Sequence, residues 1–123
     1  MNTFPAEWYH GSPLRLEVLR AGSTITPMRD LARVFSHKPP VVSLDDGQTP
    51  ILLRHNGTQN GWLYRVLAVR EEDVYPHPRT TMPPGLEWLT RIDLRLELIG
   101  PTGLVPEEHL SDEEIARFRS ASC

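Results

Sequence analysis

Two segments carry residue types that can do chemistry together, Tyr9-His10-Gly11-Ser12 and Leu86-Glu87-Trp88-Leu89-Thr90. In the first, a histidine precedes a glycine and a hydroxyl residue. Glycine has no Cβ, so a planar ring or an amide can come close to the backbone there. The exposed N–H and C=O can then grip a carboxamide, and the imidazole can hydrogen-bond a sugar hydroxyl. The same His10-Gly11-Ser12-Pro13 run also fits a tight turn between two strands. In the second segment Glu87 lies among apolar neighbours. A carboxylate in such a place either faces water on the outer side of a strand or stabilises a cation that develops during a reaction.

Further polar groups lie between these segments. His37-Lys38, Arg54-His55 and His77-Pro78-Arg79 are three basic clusters that, brought together, could hold a pyrophosphate through charge-assisted hydrogen bonds. The loop from Tyr75 to Thr81 combines stiff prolines, two hydroxyls and a cation. No metal site is expected: the five histidines show no His-x-x-x-His spacing and the single cysteine, Cys123, is terminal. Neither a phosphate loop nor a nucleophile elbow is present. Trp8, Trp62 and Trp88 are expected as core or cleft walls.

The elements that must position these groups can be read from periodicity. Ile92 to Ile99 alternates apolar and polar residues, which predicts a half-buried strand. Gly61 to Val69 is apolar on both faces and reads as a central strand. Leu14–Leu19 and Ile51–Arg54 are shorter strands, and Asn56-Gly57 and Asn60-Gly61 give turns after the latter. Thr26 and Pro27 open a helix whose stripe is Met28, Leu31, Ala32 and Phe35. Ser111 to Glu114 is a capping box that opens a second helix, with Ile115 and Phe118 as its stripe. The expected class is α+β: a small split or curved, mostly antiparallel sheet with one or two short helices. A chain of 123 residues makes one domain, 1–123, with a core over 8–99 and a C-terminal helix over about 111–120.

Composition narrows the function classes. A net charge of -3 argues against a dedicated nucleic-acid binder. The first residues lack the pattern of a signal peptide and no apolar run reaches membrane-spanning length, so a cytoplasmic protein without a membrane partner is expected. Of the 12 prolines, six cluster at 39–40, at 76 and 78, and at 83–84, which predicts shaped loops.

In order and spacing the His-Gly-Ser motif and the later Glu-Trp pair resemble the ADP-ribosyltransferase superfamily, in its poly-ADP-ribose-polymerase and diphtheria-toxin-like branch and in the compact rifampin ADP-ribosyltransferases. The resemblance spans residues 8 to 99 and includes Gly61-Trp62-Leu63-Tyr64 as a central Gly-aromatic strand. It implies an NAD-using enzyme that transfers ADP-ribose to an unknown acceptor, or an NAD glycohydrolase. His10 and Glu87 are the implied catalytic pair. His10, Gly11, Ser12, Phe35 and Ser36 would hold the cofactor, with His77 and Arg79 at its pyrophosphate. Val34-Phe35-Ser36 stands where the family has a strand tyrosine before a small hydroxyl residue. That position on a strand competes with the helical periodicity of 28–35. Glu72-Asp73 is a rival for the acidic role. The alternatives are a catalytically inactive module of the same fold that binds a nucleotide or a protein, and an RNA 2′-phosphotransferase-like activity.

Overall fold

The computed structural model describes residues 4–45, 52–80 and 82–121, with side chains through residue 117. Ile51, Thr81, Cys123 and the side chain of Phe118 therefore lie outside the described residues. The chain runs β1 (Tyr9–Ser12), β2 (Val18–Leu19), β3 (Thr24–Ile25), α1 (Arg29–Phe35), β4 (Val42–Asp45), β5 (Leu52–His55), β6 (Gly61–Val66), β7 (Val74–Pro76), β8 (Trp88–Thr90), β9 (Leu94–Thr102) and α2 (Asp112–Ala121). Every paired strand is antiparallel, in sheets ordered β1-β6-β9-β2, β3-β8-β7 and β4-β5. The class is α+β, a curled antiparallel half-barrel with two short helices.

The curl has a local cause. Tyr9 and Thr26 exchange both backbone hydrogen bonds, at 2.8 and 3.0 Å. This one residue pair stitches β1 of the larger sheet to β3 of the smaller one. Beneath the join lies the main apolar cluster of Trp8, Leu19, Ile25, Val66, Val74 and Leu94. Trp88 meets Trp8 edge-on with ring centroids 5.4 Å apart, the arrangement aromatic quadrupoles favour. A second cluster, Leu31, Val34 and Leu53, fixes the outer face of α1 against β5.

Several expected elements change length for identifiable reasons. The strand over Leu14–Leu19 shrinks to Val18–Leu19. The Tyr64 hydroxyl accepts from the Leu16 N–H and donates to the Leu14 carbonyl, giving that segment partners other than a ladder. β6 stops at Val66 because the chain turns through Ala68 at φ 54. β9 starts at Leu94 and runs on to Thr102. Its register passes from Leu98↔Tyr64 to Gly100↔Leu63, so Ile99 is an extra residue. That bulge breaks the alternation: Leu98 is left exposed, and Ile99 packs against Tyr9, Ala32 and Leu63. α1 begins at Arg29 rather than after Thr26. Thr26 is held by Tyr9, and its hydroxyl accepts the Met28 N–H at 3.0 Å just ahead of the helix. The capping box of α2 forms: Ser111 Oγ accepts from the Glu114 N–H, and Glu114 Oε1 accepts from the Ser111 N–H, both at 3.2 Å.

The inner side of α1 lies directly on β1. A Cβ at Gly11 would stand 1.8 Å from the Ala32 carbonyl oxygen and 2.7 Å from the Ser36 nitrogen. Both are backbone atoms and cannot rotate away. Gly11→Ala is therefore expected to cost about 3 kcal/mol in urea unfolding, at the upper end of overpacking effects. Gly100→Ala, with nothing within 4 Å of its Cβ, is the matched control and should cost far less. Equal losses in the two variants would overturn this account of the β1–α1 contact.

Candidate functional site

One cavity of about 250 Å³ opens along the free edge of β1. Its wall includes His10 and Gly11 from β1, Phe35 from the end of α1, and Glu87 from the residue before β8. Thr24, Thr26, Lys38 and Pro39 complete much of the rim. Residues far apart in the chain meet here because β3 is shared. Its Thr24–Ile25 segment pairs with Leu89–Trp88 of β8, and the next residue, Thr26, pairs with Tyr9. Glu87 is thereby carried to the same cleft as His10.

The protonation state of His10 follows from its partner. Its Nδ1 is 2.7 Å from the Thr24 carbonyl oxygen. A carbonyl only accepts, so Nδ1 carries the proton and Nε2 keeps its lone pair in the neutral ring. Burial pushes the imidazole pKa below its ordinary 6.5, and the bond to Thr24 opposes this only in part. At neutral pH the ring thus offers an acceptor at Nε2.

Gly11 contributes its backbone. In an antiparallel strand successive residues direct N–H and C=O to opposite edges. Tyr9 directs both toward Thr26, so Gly11, two residues on, faces the same edge. The missing Cβ makes room for α1, whose Ala32 and Ser36 backbones a side chain would strike. Phe35 is the last residue of α1, so the helical periodicity prevails over the strand position. It is half-buried, with one part packed on the Leu31–Val34–Leu53 cluster while it also lines the cavity. Glu87 is half-buried too, and its Oε1 accepts a 2.7 Å hydrogen bond from the Thr80 hydroxyl. The loop from Tyr75 therefore serves the site through Thr80.

Other expected site residues do not line this cavity. Ser12 is buried and its Oγ accepts from the Leu14 N–H at 3.0 Å. Ser36 is fully buried, donating to the Arg33 carbonyl and sharing a hydrogen bond with the Thr102 hydroxyl. His77 donates its backbone N–H to the Glu87 carbonyl, and its Nδ1 accepts from the Arg79 N–H, so both residues shape the loop. Arg79 is exposed. The rival acid Asp73 is buried and accepts from the Arg70 backbone and guanidinium, which closes a turn. Glu72 is exposed and paired with Arg70. Thr24, Thr26 and Pro39 carry no chemical signature in sequence, and only the fold brings them in.

The basic clusters separate. Arg54 makes a two-pronged ion pair with Glu114. His37 and His55 stack 5.2 Å apart in the interior, next to the Arg33–Glu108 ion pair. His37 Nδ1 bonds the Gln59 carbonyl, and His55 Nδ1 accepts from the Gly57 N–H. Among the described residues neither Nε2 has a hydrogen-bond partner. Burial, and next the neighbouring His37, push the His55 pKa down. Comparison with protein-family models, curated proteins and solved structures finds no match.

These shifts set a pH window. His10 and His55 resist protonation in the folded state, while the unfolded chain takes up protons near the ordinary 6.5. Below that pH the unfolded state binds more protons, so stability falls as the medium is acidified. Glu108 and Glu114 are shifted below 4.5, so what they contribute persists to lower pH and is lost only below that value. Urea midpoints should thus hold from pH 8 to 7 and drop from 6.5 to 5. A His10→Gln/His55→Gln variant should be nearly flat over the same range. A flat wild-type profile would contradict the assignment of both rings as neutral.

Proposed function

We propose that this chain is an ADP-ribosyltransferase-like domain that breaks the nicotinamide–ribose bond of NAD and passes ADP-ribose to an acceptor. The observation that carries the reading is the convergence of His10, Gly11, Phe35 and Glu87 on one cavity. Each offers the group the reaction requires. The Gly11 backbone edge suits the paired donor and acceptor of a carboxamide. Phe35 offers an apolar ring face beside it. Neutral His10 accepts from a ribose hydroxyl through Nε2. Glu87, held by Thr80, faces the position where positive charge grows on the ribose as nicotinamide departs. A fixed carboxylate there lowers the barrier without reorganising in the reaction. The cavity's size suits the nicotinamide and its ribose, with the rest of the dinucleotide leaving past the Lys38–Pro39 rim.

Phe35, which has no hydroxyl, favours a second reading in which the cleft binds a nucleotide without cleaving it. One set of measurements separates the two. NAD should raise the melting temperature, and free nicotinamide should be released. Glu87→Gln keeps an oxygen acceptor for Thr80 and should fold normally, yet lose about 100-fold or more in NAD cleavage. Full activity in that variant rules out Glu87. Binding without nicotinamide release favours the second reading, and no response to NAD removes the cofactor altogether.

A further inference from the structure

Lys38 stands out on two independent grounds. It is one of the residues lining the cavity that holds His10, Phe35 and Glu87. It also adopts φ 52, a left-handed conformation that glycine tolerates and lysine does not favour. The strain follows from its place. Ser36, His37 and Lys38 close the end of α1 through bonds to the carbonyls of Ala32 and Arg33, of Val34 and of Phe35. The chain must then swing out into Pro39-Pro40. Helices that end this way commonly use glycine at the left-handed position. The other non-glycine residue with positive φ among those described, Ala68, lies in a turn outside the cavity.

Lysine at that position therefore forgoes stability and brings one cation to the rim of the cleft. The ammonium is exposed, and among the described residues it makes no salt bridge. Among the described residues that line the cavity Glu87 is the only carboxylate, and with Lys38 it pairs one anion with one cation. A ligand that matches both has a site of developing positive charge and a permanently anionic group beyond it.

We propose that Lys38 is the specificity residue that recognises the phosphate adjoining the sugar bound in the cavity, so that the site prefers nucleotides to nucleosides. This inference rests on the NAD reading and deepens it. His10, Gly11, Phe35 and Glu87 hold the base and sugar, and Lys38 sets the requirement for phosphate. A charge-assisted hydrogen bond from a lysine to a phosphate is short and nearly twice as strong as a neutral one.

The test compares nicotinamide mononucleotide with nicotinamide riboside, which differ only by that phosphate, by calorimetry on the full chain. Wild type should bind the mononucleotide about 10- to 100-fold more tightly, the size of one hydrogen bond to a charged group. Lys38→Gln should lose that preference and leave riboside affinity unchanged, while Lys38→Arg keeps most of it. Lys38→Gly relieves the strained φ and should raise the melting temperature by about 4 °C while abolishing the preference. A folded Lys38→Gln variant that still prefers the mononucleotide overturns the role of Lys38 and leaves the NAD reading standing. Equal loss of both ligands overturns the phosphate contact. If wild type binds neither, the NAD reading fails and the role of Lys38 fails with it.

Discussion

The two hydrogen bonds between Tyr9 and Thr26 hold the cleft together. On one side of them the sheet continues through β1 into β6 and β9, and on the other through β3 into β8 and β7. His10 and Gly11 belong to the first side and Glu87 to the second. The Thr24 carbonyl that fixes the His10 tautomer sits two residues before the join. The aromatic cluster of Phe4, Trp8 and Trp88 packs below it and keeps the two sheets at a fixed angle. A short strand in the middle of the fold thus couples a histidine near the N-terminus to a carboxylate almost eighty residues later.

The third wall depends on how closely α1 approaches the sheet. Gly11 and Gly61 leave no side chain between the sheet and the last turn of the helix, where a Cβ would meet the Ala32 and Ser36 backbones. This brings Phe35 and Lys38 to the cavity edge. Behind that turn the stacked His37 and His55 rings share the interior with the Arg33–Glu108 pair. Burial there, and next the neighbouring His37, hold the His55 pKa below its ordinary value, so the packing behind the cleft also makes the fold sensitive to acid.

The long strands were legible in sequence because β6 and β9 contain enough residues for a period of two to register. β3, β7 and β8 have two or three residues each, too few for any periodicity, yet they carry Glu87 into place. The alternation in β9 misled at Leu98 because a bulge is invisible to a strict period. At the site, His10, Gly11 and Glu87 could be picked out by residue type, and Phe35 by its order in the chain, though it lies on a helix. Ser12 and Ser36 stand next to those residues in the chain, and His77 and Arg79 form a basic pair in the proline-rich loop. Neighbours along a strand or turn point different ways, and each of these four is engaged in local hydrogen bonding or faces solvent. Lys38 was visible only as one of several cations. Its position and its φ emerge from the helix ending.

Our proposal is that the β1 edge and Glu87 form one ligand cleft. It is tested most directly by titrating isotope-labelled protein with NAD and following backbone amide and imidazole resonances. Saturable shifts are expected at Gly11, His10, Phe35 and Glu87, with little change at Gly100 and Gly103, which do not line the cavity. Saturable shifts confined to Gly100 and Gly103, or none at millimolar NAD, would contradict that reading.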